Sequence, residues 1–130
     1  MSGATTGGVR TLLRIEALCV FVAALVAYRA SGAGWGMFAI WFLAPDLSLL
    51  AYLVGARSGA LIYNVAHSYA GPVGCLVASM LLSAPILTTA GLIWAAHIGF
   101  DRTLGYGLKY SAGFSFTHLG RIGRAARDAA

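Results

Sequence analysis

Four long apolar runs, separated by short stretches of glycine, serine, proline and arginine, dominate the order of residues in this chain. The first covers 12–28, is flanked by Arg10, Arg14 and Arg29, and leads into Ser31-Gly32-Ala33-Gly34. The second covers 35–54, carries Pro45-Asp46, and stops at Gly55-Ala56-Arg57-Ser58-Gly59. The third covers 60–82, is interrupted by Gly71-Pro72, and stops at Ser83-Ala84-Pro85. The fourth covers 86–108, after which 109–130 turns polar and basic. Each run comes close to the roughly 20 apolar residues that carry a helix across the hydrocarbon core of a bilayer. The pattern predicts an all-α integral membrane four-helix bundle forming one domain, 1–130. Its third helix should be kinked at Gly71-Pro72, because proline removes a backbone donor and crowds the preceding turn. The first run has the look of a signal peptide, but another apolar run follows it directly, which predicts a retained helix.

Composition narrows the function classes. With 59% hydrophobic and 10% charged residues among 130, and a mean hydropathy of +0.79, a nucleotide-binding fold or a large aqueous substrate domain is excluded. The net charge of +5 points to acidic lipid headgroups as counterions, and not to nucleic acid, because no basic face is interleaved with a soluble fold. With four spans, Arg10, Arg14, Arg57, Arg102, Lys109, Arg121, Arg124 and Arg127 share one side, and Arg29 stands alone on the other. Lysine and arginine stay on the cytoplasmic side of spans. This predicts a multi-pass protein of the cytoplasmic membrane with both termini inside.

Topology gives each polar residue within a run an approximate depth, at about 1.5 Å of helix rise per residue. Glu16 lies roughly 6 Å into the first span, and Asp46 roughly 13 Å from the cytoplasmic end of the second. Asn64 and His67 lie roughly 6 to 11 Å into the third, and His97 and Asp101 roughly 16 and 10 Å from the end of the fourth. Acids, imidazoles and an amide from four helices therefore share the cytoplasmic half, whereas the outer half holds little beyond Ser79, Thr88 and Thr89. An ionised carboxylate near mid-membrane costs roughly 2.5 to 3.5 kcal/mol on insertion scales. Three of the four acidic residues take that position, so they should face the bundle interior and pair with one another, with a metal or with a substrate.

His97 and Asp101 are four apart and project from one face of the fourth helix. Together with Asp46 and His67 they could be ligands of a divalent metal, or a general base with its orienting carboxylate. The competing structural reading makes them an internal hydrogen bond that locks the helix. Asn64 would orient a substrate or water, Lys109 could meet an anionic headgroup, and His118 could fold back as a lid or an extra ligand. Haem is disfavoured, because His67 and His97 differ in depth by about 5 Å. Gly91, Ala95, Gly99, Thr103 and Gly107 form a small-residue stripe, as do Ala66, Ala70, Gly74 and Ala78. Both suit close helix packing, within the bundle or in a homo-oligomer. Cys19 and Cys75 lie in different apolar runs and read as inert packing residues. Arg121, Arg124 and Arg127 suit one side of a surface helix on acidic lipid.

The strings Leu43-Ala44-Pro45-Asp46-Leu47-Ser48, Tyr63-Asn64-x-x-His67-Ser68-Tyr69, Ala96-His97-Ile98-Gly99-Phe100-Asp101-Arg102 and Thr117-His118-Leu119-Gly120 resemble a bacterial family of small multi-spanning membrane proteins, domain of unknown function 4260. The resemblance covers roughly 12–120. It implies an integral membrane protein and no particular reaction. Three function classes follow from the polar layer. The first is a metal-assisted hydrolase or related lipid-modifying enzyme, using Asp46, Asn64, His67, His97 and Asp101. The second is a non-catalytic cofactor-binding bundle or accessory subunit of a larger membrane complex. The third is a proton or ion relay, against which stands the apolar outer half.

Overall fold

The computed structural model describes residues 6–108 and 116–121. Helix α1 spans Gly7–Ser31 and ends at Gly32, whose φ of 77° gives the left-handed cap that closes the turn onto Arg29. Beyond it the hydroxyl of the fully buried Tyr28 donates to the Gly34 carbonyl at 2.6 Å. Its ring packs on Trp35 and Phe38. That contact turns the chain into α2, Trp35–Trp41.

The second apolar run is not one α-helix. After α2 the backbone tightens into a 3-10 helix, Ala44–Leu53. Pro45 stands in its first turn with no N–H to offer. The third run is also divided, into α3, Ala56–Ala66, and α4, Ala70–Leu82. The break falls at 67–69 and not at Gly71-Pro72, with Pro72 inside the first turn of α4. Proline clashes with the carbonyl four residues before it, which is Ser68, so the kink expected at the proline is displaced one turn upstream. Helix α5, Pro85–Leu104, ends at Gly105 with φ 98°, four residues short of the boundary read from the sequence.

Among the described residues, three segments are long and apolar enough to cross a membrane: Gly7–Ser31, Trp35–Leu53 and Ala56–Leu82. The fourth expected span is not among them. It carries His97, Asp101 and Arg102, and it is instead the most enclosed helix, with Gly91, Ile93 and all of Ala95, Ala96, His97, Ile98 and Gly99 buried. Helices α1 and α4 pack against α5, and the 3-10 helix packs on α3. The small-residue stripe on α5 serves these contacts within the chain. A Cβ on Gly99 would lie 2.9 Å from the Ala17 carbonyl oxygen, and one on Gly91 would lie 3.0 Å from Leu76. The second stripe is different, since Ala70 and Gly74 are exposed and a Cβ on Gly74 would meet nothing within 4 Å.

Beyond α5 the chain returns on itself through a two-residue antiparallel pairing of Phe116–Thr117 with Gly120–Arg121. This stands where the sequence suggested the start of a surface helix. Leu119, 1% exposed, anchors the pairing. Lys109, Arg124 and Arg127 lie outside the described residues.

Candidate metal centre

Three separate pieces of chain bring four side chains to one point. Asp46 is the third residue of the 3-10 helix, His67 caps the C-terminus of α3, and His97 and Asp101 stand one turn apart on α5. Each offers one donor atom, and the four donors lie within 4.8 Å of one another. His67 Nε2 is 3.1 Å from His97 Nε2, 3.2 Å from Asp46 Oδ1 and 3.5 Å from Asp101 Oδ2. His97 Nε2 is 3.2 Å from Asp46 Oδ1 and 3.1 Å from Asp101 Oδ2. A tetrahedral ion with bonds of about 2.0–2.1 Å holds its donor atoms about 3.3–3.4 Å apart. The five distances that involve an imidazole cluster around that edge length, and the two carboxylates lie within 4.8 Å of each other, so Asp46, His67, His97 and Asp101 could hold a metal ion.

Hydrogen bonding fixes the tautomer of one imidazole. His67 Nδ1 lies 3.0 Å from the Tyr63 carbonyl oxygen, and a carbonyl only accepts, so Nδ1 carries the proton. In the neutral ring Nε2 then presents a lone pair to the centre, as a metal-ligating histidine requires. Two carboxylates and the His67 lone pair thus converge, an arrangement that repels itself without a cation or further protons between the groups. The His67 ring is also stacked on Tyr63, with centroids 3.8 Å apart and 10° between planes. His97 is held by packing, edge-on to Phe42 at 5.3 Å, while its Nδ1 is buried with no hydrogen-bond partner.

The helix break at 67–69 is part of the same construction. Ending α3 at Ala66 leaves carbonyls without helical partners, which within a membrane must be satisfied by side chains. Trp94 Nε1 donates to the Ala66 oxygen at 2.5 Å, and Arg102 donates to the His67 oxygen at 3.3 Å. Arg102 also lies 4.5 Å from the centroid of the Tyr69 ring. Gly71 is small because the Trp94 indole occupies the place of its side chain. Tyr63 and Phe42 each lie four residues before a donor, Tyr63 before His67 and Phe42 before Asp46. That spacing was a usable signal; the roles of Trp94 and Arg102 depend on a break that no periodicity announces.

Other candidate residues are not in the cluster. Glu16 is exposed, contrary to the expectation that it faces the bundle interior. Ala17, Ala24 and Tyr28 form the buried face of α1, and Glu16 is one step around the helix from it. Asn64 is on α3, three residues before His67, and is not one of the four donors. His118 does fold back, but not as a ligand. Its Nδ1 accepts the Leu108 N–H at 2.8 Å, and it shares a small hollow with Glu16, Tyr69, Arg102 and Leu119. Cys19 is exposed, Cys75 is partly buried, and both are free.

Burial, reinforced by the nearby Arg102 cation, holds the His118 imidazole below the ordinary histidine range. A histidine depressed in the folded state favours folding above its unfolded value of about 6.5, and that contribution declines as the pH falls below it. The returning segment is therefore expected to loosen between pH 7.5 and 5. The protection factors of the Leu108 and His118 amides, which bond to each other's backbone or ring, should fall over that range once the pH dependence of intrinsic exchange is divided out. Equal protection at both pH values would contradict the assignment.

No curated protein and no solved structure matches the chain. A family model described as a domain of unknown function, DUF4260, matches residues 10–122. That match takes in all four donors and the returning hairpin, and by it the chain belongs to the DUF4260 family.

Proposed function

We propose that this protein is a membrane-embedded, metal-dependent enzyme that hydrolyses or otherwise modifies a lipid, with its centre in the cytoplasmic half of the bilayer. The observation that carries the reading is the convergence of two carboxylates and two imidazole nitrogens from three segments to within 4.8 Å of one another. Two ionised carboxylates and two neutral imidazoles sum to two negative charges, which a divalent cation cancels. Neutrality matters in a low-dielectric setting, where an unbalanced charge is expensive. The donor set, nitrogen and oxygen without thiolate, suits zinc, manganese or iron.

Bound there, such an ion supplies Lewis acidity and lowers the pKa of coordinated water. The chain's own residues do the rest. His67 is oriented by the Tyr63 carbonyl, His97 and Asp101 are fixed on α5, and the more exposed Asp46 side chain, at 39% against 16% or less for the other three, is the donor able to yield its place to substrate or water. The inward orientation takes α5 as a fourth crossing beside the three apolar segments, which puts eight basic residues on one side. Arg14 Nε donates to the Thr103 carbonyl at 2.8 Å, so basic residues of α1 and the end of α5 lie together.

A second reading has support in the same geometry, since four converging protein ligands also describe a closed structural site. In that case the ion clips the 3-10 helix, α3 and α5 together in an accessory subunit. Purified protein in vesicles of phosphatidylglycerol and phosphatidylethanolamine distinguishes the two. The enzyme reading expects metal-dependent appearance of lipid products by mass spectrometry, lost on chelation and lowered at least about 100-fold in Asp46→Asn. Stoichiometric metal with no lipid change would leave the structural clip, and no metal at all would overturn both.

A further inference from the structure

Between the Trp35–Leu53 segment and α5 lies a cavity of about 410 Å³, within the roughly 300–1,000 Å³ typical of small-molecule sites. Trp41 and Pro45 form one wall and Ile86, Ala90, Ile93 and Trp94 the other. We propose that this groove binds a single hydrocarbon chain of a lipid, laid along α5 with its polar end at the Asp46–His97 side and its tail toward Ile86. The proposal rests on the lipid-directed reading above and specifies how its substrate is held.

Three observations lead to that occupant. The walls offer one hydroxyl, Thr89, among otherwise apolar side chains, so only hydrocarbon satisfies them without stranding a polar group. The walls also belong to a segment apolar enough to cross a membrane, Trp35–Leu53, and to α5, so the groove is reached sideways from lipid. The third observation is continuity with the donors. Ile86, Ala90, Ile93 and His97 are spaced i, i+4, i+7 and i+11 and lie on one face of α5, and Pro45 immediately precedes Asp46. The lining thus ends one residue short of Asp46, the most exposed of the four donors, and one helical turn short of His97. From Ile86 to His97 the helix rises about 16 Å.

The experiment uses full-length protein in nanodiscs and two photoactivatable palmitate analogues, one with its diazirine near the carboxylate and one with it at the tail. The first should label Pro45, Ile93 or Trp94, the second Ile86 or Met37. Ala90→Trp, a substitution at an exposed position, should lower both by about tenfold while metal content is unchanged. Labelling spread evenly over exposed α4 residues such as Val73, Val77 and Met80, and insensitive to Ala90→Trp, would mean surface lipid only and would overturn the proposal. The positional pattern in the wild-type chain decides the matter even if the variant folds poorly. Because labelling needs no turnover, ordered labelling of a protein that binds no metal would uphold the groove while the metal-dependent reading failed.

Discussion

Replacing His97 with alanine should abolish stoichiometric metal binding. Wild-type protein purified without chelator is expected to carry about one divalent ion per chain by elemental analysis, and His97→Ala only background. Loss even of a residue that orients a ligand typically lowers metal affinity 10- to 100-fold, and removing a ligand itself should cost at least about that much. Stability should follow. An ion present at about 100 times its dissociation constant stabilises the folded state by roughly 2.7 kcal/mol, so chelation should lower the unfolding temperature of the wild type and leave His97→Ala unmoved. The alternative, a network of hydrogen bonds and charges with no ion, predicts the reverse pattern: background metal in both proteins and no response to chelator. His67→Ala should behave as His97→Ala does, because both Nε2 atoms face the same point, 3.1 Å apart.

The residues in that experiment could be chosen before any coordinates, and the reason shows what sequence carries. Helix rise converts residue number into depth, so the half of the membrane shared by Asp46, His67, His97 and Asp101 was legible, as was the shared face of His97 and Asp101; the mismatch of about 5 Å that it gave for His67 and His97 was wrong, because their Nε2 atoms lie 3.1 Å apart. Depth says nothing about direction around an axis. Glu16 has a suitable depth but lies beside, not on, the face of α1 that includes the buried Ala17. Departures from the ideal α-helix were less accessible still. The Leu47 to Leu53 stretch, apolar apart from Ser48 and Tyr52, carries too few polar positions for periodicity to tell a 3-10 from an α-helix. Pro72 signalled an interruption, yet its steric effect acts on Ser68, one turn earlier. The partners that heal the break, Trp94 and Arg102, were visible only as an aromatic and a basic residue at the right height.

Gly99→Ala tests whether the closest helix contact and the metal centre are separable. The added methyl would lie 2.9 Å from both the Ala17 carbonyl oxygen and the Phe21 amide nitrogen. These are backbone atoms of α1, unable to swing aside as a flexible side chain could. The helices must move apart, at a cost of about 1–3 kcal/mol typical of overpacking. Gly74→Ala is the matched control, because its methyl would enter open space; there the better helix propensity of alanine should add about 0.5–1 kcal/mol. Unfolding monitored by circular dichroism in detergent should separate the two variants in opposite directions from wild type. Helix α1 contributes none of the four donors, and the segments that do are held by contacts it does not make: the 3-10 helix packs on α3, and α5 packs on α4, which follows α3 in the chain. Gly99→Ala is therefore expected to lose stability while keeping about one ion per chain. If metal is lost with stability, the docking of α1 must set where α5 holds His97 and Asp101, and the centre would depend on all of the packed helices instead of on the three segments that supply its ligands.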